Sequence, residues 1–149
     1  MDAVSIGTVK SPVVEALDEG WGDVESAIVL RDDLARGLDG IDAFSHVIVV
    51  FWMHEAGFDA ARDLVRRPRG RADMPEAGIF AQRARHRPNP IGITAVRLLR
   101  REGNAIFVRG LDAIDGTPVL DVKPYVPVYD RVDGAAVPSW MDGLMRGYF

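Results

Sequence analysis

Apolar positions along the chain fall mostly into short runs rich in β-branched residues, and long helical stripes are missing. "VSIGTV" near the start and "VESAIVL" at 24–30 are bounded by turn formers, which predicts two strands. In "RDDLARGLDGIDAF" the pattern changes to a short helix, with Asp32 placed to cap it and Gly37 to stop it. "SHVIVVFWMH" (45–54) is continuously apolar, predicting a fully buried central strand. Residues 66–78, "RRPRGRADMPEAG", have no periodicity and predict an exposed loop. "GITAVRLLRRE" and "NAIFVRGLDAI" form a hairpin pattern around "EGN", "TPVLDVKPYVP" adds a strand ended by prolines, and "PSWMDGLMRGYF" is helical behind Pro138. About six strands against one or two short helices predict a mostly β fold: a small antiparallel β-barrel forming one domain over residues 1–149.

Composition adds limits. With 48% apolar and 27% charged residues the chain belongs with soluble globular domains, and with no cysteine it has neither a disulfide framework nor a thiolate metal site. The expected compartment is the cytoplasm. No export signal opens the sequence, and "VIVVFWM" is too short to span a bilayer, so no membrane role is expected. The net charge of −4 is unevenly spread: residues 62–109 hold 12 arginines against four acids, a local +8, leaving −12 elsewhere. An acidic protein with one basic region makes a poor nonspecific coat for nucleic acid, and no DNA binding is expected, but it can build a localised anion site.

Familiar catalytic signatures are missing. No G-x-G-x-x-G turn follows a strand, which excludes a Rossmann cofactor site, and there is neither a P-loop nor a G-x-S-x-G elbow. His54-Glu55 is half of H-E-x-x-H, but Phe58 stands where the second histidine belongs, so no metal is expected. The positive signal is "RARHRPNPIG" (83–92). Its prolines restrict Arg87 and Asn89 to extended conformations, and in an extended chain Arg83, Arg85 and Arg87 share one face with His86 opposite. Guanidinium forks suit carboxylate or phosphate, and Asn89 suits an adenine-like edge; a proline-braced surface turn with solvated arginines is the competing reading. Asp121, Lys123 and Tyr125 alternate on one strand face, fit either for polar binding and proton transfer or for an ion pair on a wet face. His54 closes an apolar run, "FWMHE", where, for the segment taken alone, a satisfied core histidine is favoured over a ligand role.

Together, "GLDGIDAFSHVIVVFWMHE", "MPEAGIFAQRARHRPNPIGITAVRLL" and "LDAIDGTPVLDVKPYVP", covering residues 37–127, resemble the TrmO/TsaA-like (YaeB-like) family of S-adenosylmethionine-dependent tRNA methyltransferases. The resemblance implies a non-Rossmann barrel working as a homodimer, with S-adenosyl-L-methionine held by loops at one end. Its substrate would be threonylcarbamoyladenosine beside the anticodon of tRNA, methylated on the exocyclic amine. Carried onto matching positions, the cofactor side would comprise His54, Glu55, Phe80, Arg83, Ile93, Leu111, Asp112, Ala113, Ile114 and Asp115. The substrate side would comprise Arg85, Arg87, Lys123 and Tyr125, with Asp121, His86 and Asn89 as catalytic candidates and Asp121 or His86 as the base.

Three differences from the family pattern are noted: Gln82 and Ala84 replace hydroxyl residues flanking Arg83, no P-R-Q-type contact is found near the N-terminus, and a short form without the C-terminal domain of longer members is expected. A methyltransferase for another RNA or a small molecule, and a non-catalytic module binding a nucleotide or the cofactor, are the alternatives.

Overall fold

The computed structural model describes residues 2–149. Six strands close into an antiparallel barrel: β1 (Gly7–Lys10), β2 (Glu25–Leu30), β3 (His46–Trp52), β6 (Ile91–Glu102), β7 (Ala105–Arg109) and β8 (Pro118–Pro124), in the order β1-β2-β7-β6-β3-β8. Closure leaves none of these strands with an open edge. β4 (Val65–Arg66) and β5 (Ala77–Gly78) make a separate two-stranded ribbon, and the α-helices are short, one turn in α1 (Ala60–Asp63) and α2 (Pro127–Asp130) and about two in α3 (Ser139–Met145).

Alternation explains the core. Val47, Val49 and Phe51 of β3, Val96 and Leu98 of β6, Ile106 and Val108 of β7 and Ile28 of β2 point inward and are buried together. Each such side chain contributes about 1.5–3 kcal/mol through burial. The β6–β7 hairpin turns at Gly103-Asn104, where Gly103 takes φ 60°, the left-handed conformation a two-residue hairpin needs.

Four sequence expectations are corrected. β3 is buried on alternate positions only, because a barrel strand has one inner and one outer face, so Ile48, Val50 and Trp52 remain partly exposed despite the continuous apolar run. The helix at Asp32–Leu38 is of the tighter 3₁₀ type and runs past Gly37; Arg31 holds the cap position, and Asp32 instead accepts a hydrogen bond from Asn104 Nδ2 at 2.9 Å. Residues 66–78 do not form a plain exposed loop: they contribute to the β4–β5 ribbon, with Pro68 and Met74 buried and the Arg67 guanidinium donating to the Met74 carbonyl. The second hairpin strand ends at Arg109, after which Gly110 (φ 89°) releases Leu111–Ile114 as a loop.

Candidate functional site

One end of the barrel gathers the "FWMHE", "RPNPIG" and Leu111–Asp115 segments, whereas Lys123, opposite Ile48, and Tyr125, beside His46, lie toward the other end of β3. β3 exits through Met53, whose N–H bonds to the Pro90 carbonyl at 2.8 Å, tying the Met53–Ala56 turn to the "RPNP" segment. The glycine of "RPNPIG" has a packing reason. Gly92 pairs with Phe51 across β6 and β3, and a Cβ there would lie 2.3 Å from the Phe51 ring.

Residues 85–89 are a series of bends, so the three arginines do not share one face of an extended chain. Each has its own partner. Arg83 donates to the Ile93 carbonyl, Arg87 Nη1 to the Gln82 carbonyl at 3.3 Å, and Arg85 Nε to His86 Nε2 at 3.2 Å. His86 Nδ1 lies 2.8 Å from the Gly57 carbonyl and 3.3 Å from the Gly57 N–H, and Nε2 accepts from Arg85. Asn89 is exposed between its prolines.

In the loop after β7, Leu111, Ala113 and Ile114 are core residues, so only their backbone can meet a ligand, while Asp115 Oδ1 accepts the Ser11 N–H at 3.1 Å and fastens the loop to β1. Asp112 is different. Thr94 Oγ1 donates to its Oδ1 at 2.5 Å and the Tyr148 hydroxyl to its Oδ2 at 2.6 Å. Burial, followed by the Asp112 charge, pushes the Tyr148 hydroxyl well above the ordinary tyrosine range. Arg69 stacks 5.7 Å from the Tyr148 ring. Tyr148 is held in place because Gly20 and Trp21 donate their N–H groups to the Gly147 and Tyr148 carbonyls at 2.8 and 2.9 Å.

His54, Glu55 and Phe80 are exposed at this end, with Phe80 at 78%. Asp121 and Lys123 pair at 2.6 Å on the outer wall, which raises the Lys123 pKa through hydrogen bonding and charge. Register places Asp121 opposite Val50, itself opposite Ile93, so β3 alone lies between the carboxylate's strand and the arginine-bound strand, roughly 10 Å across. Tyr125 lies further along, its ring edge-on to His46 at 6.3 Å. Thr94, Tyr148 and Arg69 escaped sequence reading. The alternation of "GITAV" marks Thr94 as inward-facing, but nothing in the sequence connects Tyr148 to Asp112.

Among the described residues no group of three acidic, histidine or cysteine side chains is arranged to hold a metal ion, and no helix is long and apolar enough to cross a membrane. The arrangement defines a class: a small closed β-barrel with polar side chains from several loops gathered at one end. The sequence model of the tRNA-methyltransferase O N-terminal domain matches residues 18–131, and the chain belongs to that family. It is 42% identical over 132 residues to an S-adenosyl-L-methionine-binding protein of Archaeoglobus fulgidus, covering 86% of this chain and 91% of that one. It is also 42% identical over 132 residues to a mouse tRNA (adenine(37)-N6)-methyltransferase, covering 89% of this chain and 30% of the relative. A crystal structure of TrmO from Pseudomonas aeruginosa superposes with a TM-score of 0.73 at 31% identity, over 91% of this chain and 60% of that one. The chain thus spans most of the archaeal relative and less than two thirds of the other two.

Proposed function

We propose that this chain is a single-barrel, S-adenosyl-L-methionine-dependent methyltransferase that modifies N6 of threonylcarbamoyladenosine beside the anticodon of tRNA. The observation that carries the reading is the joining, at one barrel end, of the Arg83–Ile93 contact, the Thr94–Asp112–Tyr148 chain and the proline-braced Asn89. The names of the relatives point the same way: one binds S-adenosyl-L-methionine and one methylates adenine 37 of tRNA.

The residues fit a cationic, adenine-bearing donor. Asp112 offers a carboxylate held by two hydroxyls, Arg83 a fork with donors beyond the one spent on Ile93, and Phe80 and Ile93 exposed apolar surface. When bound, S-adenosyl-L-methionine supplies an activated methyl group, so the protein's task is alignment and exclusion of water. His54, Glu55 and the backbone of Leu111, Ala113 and Ile114 would line the same side, while Asp115 holds the loop. On the substrate side Asn89 reads the base edge and Arg85 and Arg87 take anionic groups, while Lys123 and Tyr125, toward the other end of β3, would meet polar groups of the tRNA farther from the modified base. Asp121 is assigned the proton from the attacking nitrogen in preference to His86, whose Nε2 accepts from Arg85.

A second copy of the chain would cover the outer β3–β6 face, where Ile48, Val50, Trp52, Ile91 and Ile93 expose apolar surface, Ile93 to 50%. We place the enzyme in the cytoplasm, with tRNA. The test is mass analysis of tRNA nucleosides from a strain lacking the gene. Loss of the methylated form, restored by the wild-type gene, is expected; undiminished methylation contradicts the tRNA role and leaves another substrate or a binding function.

A further inference from the structure

We propose that a second anion site, the cleft between the α1–β4 segment and His86, carries the phosphodiester backbone of the RNA flanking the modified nucleotide. This rests on the tRNA reading above. The cleft is open, about 600 Å³, and lined by Arg62, Asp63, Arg66, Arg67, Glu76 and His86, with Val65 as its one apolar side chain. With no phenylalanine, tyrosine or tryptophan in its lining and three arginines, it is suited to charge more than to a base.

Charge accounting favours an anionic occupant. The lining itself carries Arg62, Arg66 and Arg67 against Asp63 and Glu76, a balance of +1, within a stretch, residues 62–87, that holds eight arginines and three acids. Two of those acids are already taken: Asp63 by Arg62 at 2.9 Å and Asp73 by Arg71 at 2.6 Å. Arg66 reaches Asp63 only at 3.9 Å, and its Nε is buried without a hydrogen-bond partner. Arg67 and Arg87 are held by backbone carbonyls, which fix their forks without neutralising them. Pre-positioned, uncompensated guanidinium groups are what a phosphate diester needs. His86 belongs both to this cleft and to the segment carrying Asn89, so RNA presenting a base at Asn89 has its neighbouring backbone beside the arginines.

The experiment is titration of the full chain with unfractionated tRNA at a series of salt concentrations. Each lost phosphate contact lowers the slope of log affinity against log salt by about 0.7 for single strands. A variant with Arg66→Gln and Arg67→Gln is expected to lose about 1.4 from that slope and at least about tenfold in affinity at low salt, with S-adenosyl-L-methionine affinity unchanged. Arg36→Gln, removing one positive charge from a side chain 96% exposed elsewhere, leaves the slope alone. On the wild-type protein, bound tRNA protects Arg66 and Arg67 from an arginine-specific dicarbonyl reagent, read by peptide mass mapping. A folded double variant that binds tRNA like wild type, an equal loss from Arg36→Gln, or the absence of protection in wild type overturns the proposal. Wild type that methylates tRNA with both arginines unprotected overturns it alone; wild type that binds no tRNA removes it together with the tRNA reading.

Discussion

Replacing Gly92 with alanine tests why "RPNPIG" ends as it does. The added Cβ would sit 2.3 Å from both Phe51 Cε2 and Cζ and 2.9 Å from Cδ2, where carbon pairs rest at about 3.5–4.0 Å. The ring is 2% exposed and enclosed by the barrel core, so it cannot swing into solvent. Either it shifts by about 1 Å among close-packed neighbours or β3 and β6 separate at Trp52 and Ile91, and overpacking of this kind costs about 1–3 kcal/mol. Alanine recovers about 0.4–1 kcal/mol by restricting the unfolded chain, so the net loss is about 1–2 kcal/mol. For a domain of this size that is about 2–8 °C in Tm by thermal denaturation. Because the Met53–Pro90 hydrogen bond lies next to the displaced pair, affinity for S-adenosyl-L-methionine falls as well, read by calorimetry. A second change, Phe51→Leu, makes room, so the two substitutions together cost less than their sum. A Gly92→Ala protein melting within about 1 °C of wild type, with the same cofactor affinity, would refute the packing argument.

Asp121→Asn keeps the shape of the outer wall but removes the proposed proton acceptor, so kcat on tRNA falls by about 10²–10⁴ with KM little changed in steady-state assays. A wild-type kcat removes that assignment. Tyr148→Phe loses a hydrogen bond to a carboxylate, about 1.5–3 kcal/mol at pH 7 by chemical denaturation. Since folding raises the Tyr148 pKa, this stabilisation is complete below about pH 10 and disappears as pH rises toward the elevated value, so the gap between variant and wild type closes in alkali. Asp63 behaves in the opposite sense: hydrogen bonds from Arg62 and then from the Asp59 N–H hold its carboxyl well below the ordinary range. The stability it contributes is complete above about pH 4 and lost as pH falls through the depressed value, so Asp63→Asn and wild type converge in acid-unfolding curves.

Much of the barrel was legible because strand period and turn chemistry are local. "NAIFVR", "VESAIVL" and the Gly103 turn announce themselves. What local pattern cannot encode is which face a strand presents after closure, which is why β3 reads as buried on both sides when only Val47, Val49 and Phe51 turn inward. Proline restraint likewise fixes individual residues without fixing the path between them, so the arginines of "RARHR" were expected on one face and instead divide among Ile93, His86 and Gln82. Gln82, notable in the sequence only as a missing hydroxyl, bridges the carbonyls of Arg66 and Ala77 with its side-chain amide and so stitches the β4–β5 ribbon. The Asp112–Tyr148 contact joins residues 36 apart through the pairing of two separate glycine-rich segments, a link with no periodic signature.

The most direct measurement of the central claim is calorimetric titration of the purified chain with S-adenosyl-L-methionine, beside Arg83→Ala, followed by incubation with labelled donor and tRNA carrying unmethylated threonylcarbamoyladenosine. Saturable binding at one site per chain is expected, weakened about 10- to 100-fold by Arg83→Ala, with label appearing in adenosine 37. Heatless titration at millimolar donor, or binding indifferent to Arg83 with no label on the tRNA, would contradict the account.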